Sequence, residues 1–156
     1  MRRKLFLVLC ASLLAIMLTG CSSGSQLPDE PVRPIITVEG FNIDYIAAHY
    51  CWFGSQTDGV CSDPPEPTAY NKMIRDKAIK AIWSDTISVK FPIHPDEFTL
   101  TMYTDDGQQV LLGKPNQFRY SLPMEPGYYR YRLSAVWAER NTVDYDFGIQ
   151  TSDTFN

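Results

Sequence analysis

Three side chains between residues 49 and 61 could do chemistry: His49, Cys51 and Cys61. Together they could bind a metal, act as a nucleophile with its base, or form a disulfide. A structural zinc site needs roughly four ligands, often with paired C-x₂₋₄-C spacing. Here the cysteines are ten residues apart, and His94 is the only other histidine in the chain. The spacing therefore argues against a metal site.

The sequence also gives little support for a catalytic site. A nucleophilic Cys51 would need a free thiol beside a base such as His49. Asp105 and Asp106 could serve as an acid–base pair, but adjacent carboxylates in a turn usually diverge into solvent. The sequence contains no nucleophile elbow, HExxH motif or glycine-rich phosphate loop. We therefore predict a protein that is not an enzyme and needs no cofactor or metal.

The first residues indicate where the protein is located. A basic segment, Arg2–Lys4, precedes the 14-residue apolar run Leu5–Leu18, which is shorter than the roughly 20 residues of a spanning helix. Leu18–Cys21 resembles a bacterial lipobox, which implies removal of residues 1–20 and acylation of Cys21. The alternatives are an ordinary signal peptide with an accidental cysteine and an uncleaved N-terminal anchor.

Lipidation of Cys21 predicts a protein held by acyl chains, such as palmitate, on the outer, extracytoplasmic face of the cell membrane. Removal of the leader and acylation leave Cys51 and Cys61, which outside the cytoplasm are expected to form a disulfide. That bridge closes a loop at 53–60 and is worth about 2.5–3 kcal/mol. Trp52, next to Cys51 on a strand, is predicted to point into the core together with Tyr50.

Composition divides the mature chain in two. Residues 21–34 are rich in Ser, Gly and Pro, and predict a flexible tether. Residues 35–156 predict one domain. The formal charge of the whole chain is −4, and it becomes −7 when the three basic leader residues are removed. This acidity argues against nucleic acid as a partner.

Period-two alternation of apolar residues predicts strands through most of the domain. Two examples are the runs 87–91 and 98–102. In the segments 129–137 and 143–149, alternate apolar residues share one face, and Arg and Asp side chains share the other. A loop at 138–142 would join these two strands into a hairpin. We therefore predict that the Arg and Asp side chains form cross-strand pairs on a solvated face.

Two local patterns refine the fold class. The sequence "MEPGYYRY" resembles the tyrosine corner of immunoglobulin-like domains. Apolar spacing between Tyr70 and Ile82 predicts a short helix or an irregular crossover near 70–80. We predict an all-β, immunoglobulin-like antiparallel β-sandwich of about seven strands.

The lipobox, the polar tether, the "YCW…C" motif and the closing aromatic hairpin together resemble small lipoproteins of Bacillus-type Firmicutes. The resemblance covers nearly the whole chain and implies the outer face of a Gram-positive membrane. It implies no reaction, cofactor or catalytic residue.

The sequence therefore favours a non-catalytic binding or interaction module with a protein or glycan partner at the cell surface. A structural or stress-related envelope protein without a ligand, and a small surface enzyme, are the alternatives. The sequence does not indicate the oligomeric state. The candidate binding residues lie in three loops and are Phe53, Gln56, Asp58, Tyr103, Asp105, Glu139 and Arg140.

Overall fold

The computed structural model describes residues 27–55 and 58–154. The predicted signal peptide, the acylated Cys21 and the candidate residue Gln56 lie outside the described residues. Eleven strands and one helix are found in the described ranges. In chain order they are β1 (Ile35–Val38), β2 (Phe41–Asn42), β3 (Ile46–Trp52), β4 (Val60–Ser62), α1 (Pro67–Asp76), β5 (Ile79–Ile82), β6 (Thr86–Lys90), β7 (Glu97–Tyr103), β8 (Gln109–Leu112), β9 (Arg119–Ser121), β10 (Gly127–Trp137) and β11 (Asn141–Ser152).

The strands form two sheets. The small sheet has the order β2-β1-β6-β9, and the large sheet has the order β4-β3-β11-β10-β7-β8, with β5 added parallel to β11. The structure confirms the predicted all-β sandwich. It has more strands than the roughly seven predicted. Three of the additional strands, β2, β4 and β9, are only two or three residues long. Alternation over so few residues gives no usable signal in the sequence.

The core lies between the two sheets. The residues of β10 and β11 that the alternation assigns to one face are all buried, as are those of β6 and β7. The phenol of Tyr129 donates a 3.0 Å hydrogen bond to the carbonyl of Glu125, four residues upstream. This is the back-bond expected of a tyrosine corner, and it fixes the chain as it enters β10.

The predicted register of the β10–β11 hairpin is wrong. The predicted five-residue loop would pair Trp137 with Val143, but Trp137 instead pairs with Asn141. The turn is shorter because Ala138 and Glu139 adopt positive φ angles of 47° and 60°, which non-glycine residues seldom do. The shift of two residues keeps every side chain on its predicted face.

The predicted disulfide is present between Cys51 and Cys61, which lie opposite each other on β3 and β4. Trp52 is buried as predicted, with its ring edge-on to Trp137 at 5.5 Å between centroids. Tyr50 is partly buried against the same core. The bridge therefore closes the hairpin while the aromatic side chains of β3 pack inward.

Residues 28–34, here called the strap, lie against the large sheet although the sequence assigns them to the tether. The Trp52 indole donates to the carbonyl of Pro28 at 2.9 Å, the Tyr145 hydroxyl to that of Val32, and the Tyr45 hydroxyl to that of Pro34. The packed part of the chain therefore begins before residue 35. Composition could not show this, because Val32 is the only strap side chain in the hydrophobic core of the described residues, and the strap's hydrogen bonds to the sheet are accepted by carbonyls, which every sequence has.

The helix α1 covers part of the outer face of the large sheet, the face turned away from the core. Glu66 caps its first turn by accepting a hydrogen bond from the Thr68 N–H at 3.1 Å, and Pro67 occupies a favourable first-turn position. Tyr70 and Ile74, one turn apart, are buried against Ala48 of β3. A helix was predicted near 70–80, and the structure places it at Pro67–Asp76.

Candidate functional site

Beneath α1, a buried carboxylate anchors the outer face of the large sheet. Asp146 of β11 is fully buried and accepts two 2.8 Å hydrogen bonds from the guanidinium of Arg132 on β10. The hydroxyl of Tyr70 donates a third at 2.7 Å. Both partners of Asp146 have a raised pKa. The main cause for Arg132 is its hydrogen bond to Asp146, and the main cause for Tyr70 is burial. Since α1 covers this pair, the prediction that the Arg/Asp face is solvated is wrong at Asp146.

Next to this buried pair lies a cavity of about 420 Å³, here called the polar pocket. Three elements supply its walls: α1, the end of β7 with the turn that follows, and the start of β10. The side chains that define it are Asn71, Arg75, Tyr103, Asp105, Tyr128 and Arg130.

Two arginine–tyrosine contacts shape the polar pocket. The guanidinium carbon of Arg75 lies 3.9 Å from the ring centroid of Tyr128, and that of Arg130 lies 4.3 Å from the ring centroid of Tyr103. Such contacts hold a guanidinium in place while leaving its N–H edges free to bond. The rings therefore orient two cations towards one cavity.

The two arginines differ in their partners. Arg75 forms a 2.9 Å ion pair with Asp105, whose side chain is 64% exposed. Arg130 donates to the neutral Asn71 Oδ1 at 3.1 Å and makes no ion pair with any of the described residues. Since a guanidinium carries five N–H donors, most of those of Arg130 are available to a ligand.

A glycine makes room for one wall of the polar pocket. A Cβ at Gly148 on β11 would lie 2.9 Å from both Cε2 and the hydroxyl oxygen of Tyr128, and 3.1 Å from the Cβ of Ala78. Any side chain at 148 would therefore displace Tyr128, and with it the platform on which Arg75 rests.

The turn after β7 forms the rim of the polar pocket. The Thr104 hydroxyl and the Gln108 N–H donate to Asp106 Oδ1, and these hydrogen bonds lower the pKa of the Asp106 carboxyl. Gly107 at the tip has a φ of 83°, a conformation that favours glycine. The closed turn holds Asp105 within reach of Arg75.

The candidate residues from the sequence fall into two separate groups. Tyr103 and Asp105 line the polar pocket. Phe53 instead lies under the guanidinium of Arg140, at 4.9 Å, beside the exposed Glu139. Asp58 is exposed in the loop of the disulfide hairpin.

These two groups lie at opposite ends of the large sheet. Tyr103 pairs with Arg130 near the start of β10, whereas Phe53 and Arg140 lie beyond Trp137 at its end. Trp137 lies seven residue steps after Arg130 on β10, a distance of roughly 23 Å. The strap reaches the domain at the Phe53 end, where Pro28 meets Trp52 and Asp29 meets Ser55.

Sequence reasoning missed four of the residues that define the polar pocket: Asn71, Arg75, Tyr128 and Arg130. It placed Tyr128 and Arg130 on the face opposite the core, but did not identify what covers that face. Asn71 and Arg75 are one helical turn apart, so a firm helix assignment could have paired them. Nothing local in the sequence indicates that this helix docks on β10.

The two histidines, His49 and His94, lie outside the polar pocket. His49 Nδ1 lies 2.9 Å from the exposed carboxylate of Asp63, and His94 Nδ1 lies 2.6 Å from the carbonyl of Pro95. Among residues 27–55 and 58–154, no three His, Cys, Asp or Glu side chains are grouped closely enough to hold a metal ion. Within the same ranges, no helix has the length and apolar character needed to cross a membrane.

Comparison of the chain with protein-family models, with curated proteins and with solved structures gives no match.

Proposed function

We propose that this protein is a lipid-anchored, extracytoplasmic binding module without catalytic activity, and that the polar pocket is its ligand site. The anchor is the acylated Cys21, and the ligand is a surface molecule that presents a single carboxylate or phosphate group. The lipobox and leader in the sequence support the anchoring, and the pocket geometry supports the ligand class.

One observation carries the proposal: Arg130 is held against Tyr103 in a cavity, next to Arg75, without a carboxylate partner of its own among the described residues. Arg130 is only partly buried, so it can keep its charge without a carboxylate partner and still present N–H donors to the cavity. A planar guanidinium that is fixed and unpaired is suited to bidentate recognition of a carboxylate or phosphate.

Charge defines the ligand further. The mature chain is acidic, so its overall field repels a polyanion. The pocket itself has two arginines and one carboxylate, Asp105, whose exposed ion pair with Arg75 is weak and readily exchanged. This balance favours a ligand with one anionic group attached to an otherwise neutral body.

The carboxylates at the site do not favour catalysis. Asp146 is fully buried and uses its oxygens to accept three hydrogen bonds, so it cannot reach a substrate. Asp105 accepts a 2.9 Å hydrogen bond from Arg75, and no histidine or second carboxylate among the described residues lines the polar pocket to act with it as an acid–base pair.

The position of the polar pocket suits a surface receptor. The strap connects towards the proposed anchor at the Phe53 end of the sheet, and the pocket lies at the other end. The proposed attachment point and the polar pocket are therefore at opposite ends of the large sheet.

The test is an NMR titration of the full chain in detergent with two probes, N-acetylglycine for a carboxylate and inorganic phosphate. We expect saturable shifts at Arg130 and Asn71, and binding about tenfold weaker in Arg130→Gln. Arg119→Gln is the matched control, because Arg119 is exposed on β9 of the other sheet. Absence of saturable shifts with both probes, or equal weakening by both substitutions, would contradict the proposal.

A further inference from the structure

A second cavity, of about 730 Å³, opens beside the strap and shares no lining residue with the polar pocket. We call it the tyrosine groove. Ile43 and Tyr145 form its floor and are 4% and 1% exposed, and the half-buried Tyr45 and Tyr50 form its walls. Its volume falls within the roughly 300–1,000 Å³ of small-ligand sites.

The aromatic surfaces of the groove are held in place. Tyr45 and Tyr145 meet edge to face, with centroids 5.3 Å apart and planes at 80°. Their hydroxyls donate to strap carbonyls, those of Pro34 and Val32 respectively. A ligand would therefore meet rigid ring surfaces, and little conformational entropy would be lost on binding.

The rim of the groove has charges of both signs. Glu30 and Arg33 form a loose 3.9 Å pair with both side chains 83% exposed, and Asp44 lies 3.8 Å from Lys77. Exposed pairs at such distances contribute little to stability. These ion pairs can therefore open, and each side chain can then form hydrogen bonds to a ligand. Because the rim carries both positive and negative charges, it favours a neutral ligand.

The groove continues past Tyr45. A second hollow of about 280 Å³ shares Ile43 and Tyr45 with the first, and extends to Asn42 and to Ile35, which is 49% exposed. The two hollows lie on either side of one fixed aromatic ring. Their arrangement suits an elongated ligand with repeating units better than a compact one.

We propose that the tyrosine groove binds a neutral oligosaccharide. The C–H face of a sugar ring can pack against Tyr45 and Tyr50, while its hydroxyls bond with Arg33 and the rim carboxylates. A peptide strand fits less well, because Pro31 and Pro34 of the strap have no backbone N–H to donate to it. Binding at the tyrosine groove does not involve Arg130 and does not depend on ligand binding at the polar pocket.

The test uses the full chain in detergent with chitotetraose and cellotetraose as probes, followed by calorimetry and NMR. We expect one of these probes to bind saturably and to shift the Tyr50 ring signals. Tyr50→Ala should weaken binding about tenfold, since it removes one wall. Arg33→Ala, at a rim position that is 83% exposed and loosely paired, should weaken it about threefold.

Trp83→Ala is the matched control, because Trp83 is 45% exposed and lines neither hollow. Binding should be unchanged in this variant and in Arg130→Gln. Failure of both neutral probes to bind would overturn the inference, as would binding that is insensitive to both Tyr50→Ala and Arg33→Ala. Tighter binding of an uncharged tetrapeptide than of either sugar would also overturn it.

Discussion

The hydroxyl of Tyr70 on α1 lies 2.7 Å from the carboxylate of Asp146 on β11, a residue with no exposed surface. This contact joins the helix to the sheet at the point where Arg132 also binds Asp146. The wall of the polar pocket that carries Asn71 and Arg75 is therefore held by a buried ionic network. Loss of that network should affect both the stability of the fold and the shape of the pocket.

Replacement of Asp146 by alanine should lower the free energy of unfolding by about 3–5 kcal/mol, because it leaves Arg132 half-buried without its bidentate partner. Urea unfolding monitored by tryptophan fluorescence measures the change. Asp144→Ala is the control: Asp144 is 23% exposed and lies 3.5 Å from Arg132, so about 1 kcal/mol is expected. Equal losses in the two variants would show that the buried network has no special weight.

Two buried tyrosines should respond in opposite directions to loss of the hydroxyl. The phenol oxygen of Tyr131 has no hydrogen-bond partner among the described residues, and its ring stacks on Phe147 at 5.2 Å. Tyr131→Phe keeps the stack and should be neutral or stabilising by up to about 1 kcal/mol. Tyr145→Phe loses its bond to the strap carbonyl of Val32 and should destabilise by about 1 kcal/mol.

Thermal and urea unfolding of both variants measure this difference. A Tyr131→Phe protein that is less stable than Tyr145→Phe would mean that the Tyr131 hydroxyl has a partner after all. Proteolysis near residue 30 provides a second readout, since only Tyr145→Phe should loosen the strap.

The features of the fold and of the polar pocket that could be predicted from the sequence are those set by residues close together in the chain. The face of each residue in β10 and β11 was predictable, because alternation persists over 11 and 12 residues. Their register was not, because the left-handed φ angles of Ala138 and Glu139 have no sequence signal. The polar pocket requires α1 to dock on strands more than 50 residues away, as the 59-residue separation of Asn71 and Arg130 shows. Local patterns contain no information on that contact.

Alkaline pH should destabilise the protein. Burial raises the pKa of Tyr120 to about 12, and raises that of the fully buried Tyr131 as well. An unfolded tyrosine has a pKa of about 10, so above that pH the unfolded chain releases protons that the folded chain retains. The contribution of these two phenols to the free energy of unfolding is therefore fully present below pH 10 and is lost as the pH rises from about 10 towards 12.

Each of these tyrosines should contribute up to about 1.4 kcal/mol per pH unit in that window. Urea titrations at successive pH values measure the slope. Tyr120→Phe should reduce it, since Tyr120 is 3% exposed and its hydroxyl is unpaired within the described ranges. A slope that is flat, or that is unchanged by this substitution, would contradict the assignment.

Removal of the disulfide should lower the free energy of unfolding by about 2.5–3 kcal/mol, because the bridge closes a short loop in the unfolded chain. The variant is the double substitution Cys51→Ala and Cys61→Ala, compared with the parent protein under non-reducing conditions. Mass spectrometry of the exported parent should find both thiols oxidised. Free thiols at both positions would place the folded chain in a reducing compartment and contradict its proposed location.

The lipid anchor can be tested at one atom, the sulfur of Cys21. Cys21→Ala should abolish incorporation of labelled palmitate and move the protein out of the membrane fraction, since acyl chains supply the binding energy at about 0.8 kcal/mol per buried CH₂. Cell fractionation separates this from the two alternative readings of the leader. An ordinary signal peptide would release the parent and the variant alike, and an uncleaved anchor would keep both in the membrane. Cys10→Ala is the matched control, because Cys10 lies within the leader and should leave labelling and location unchanged.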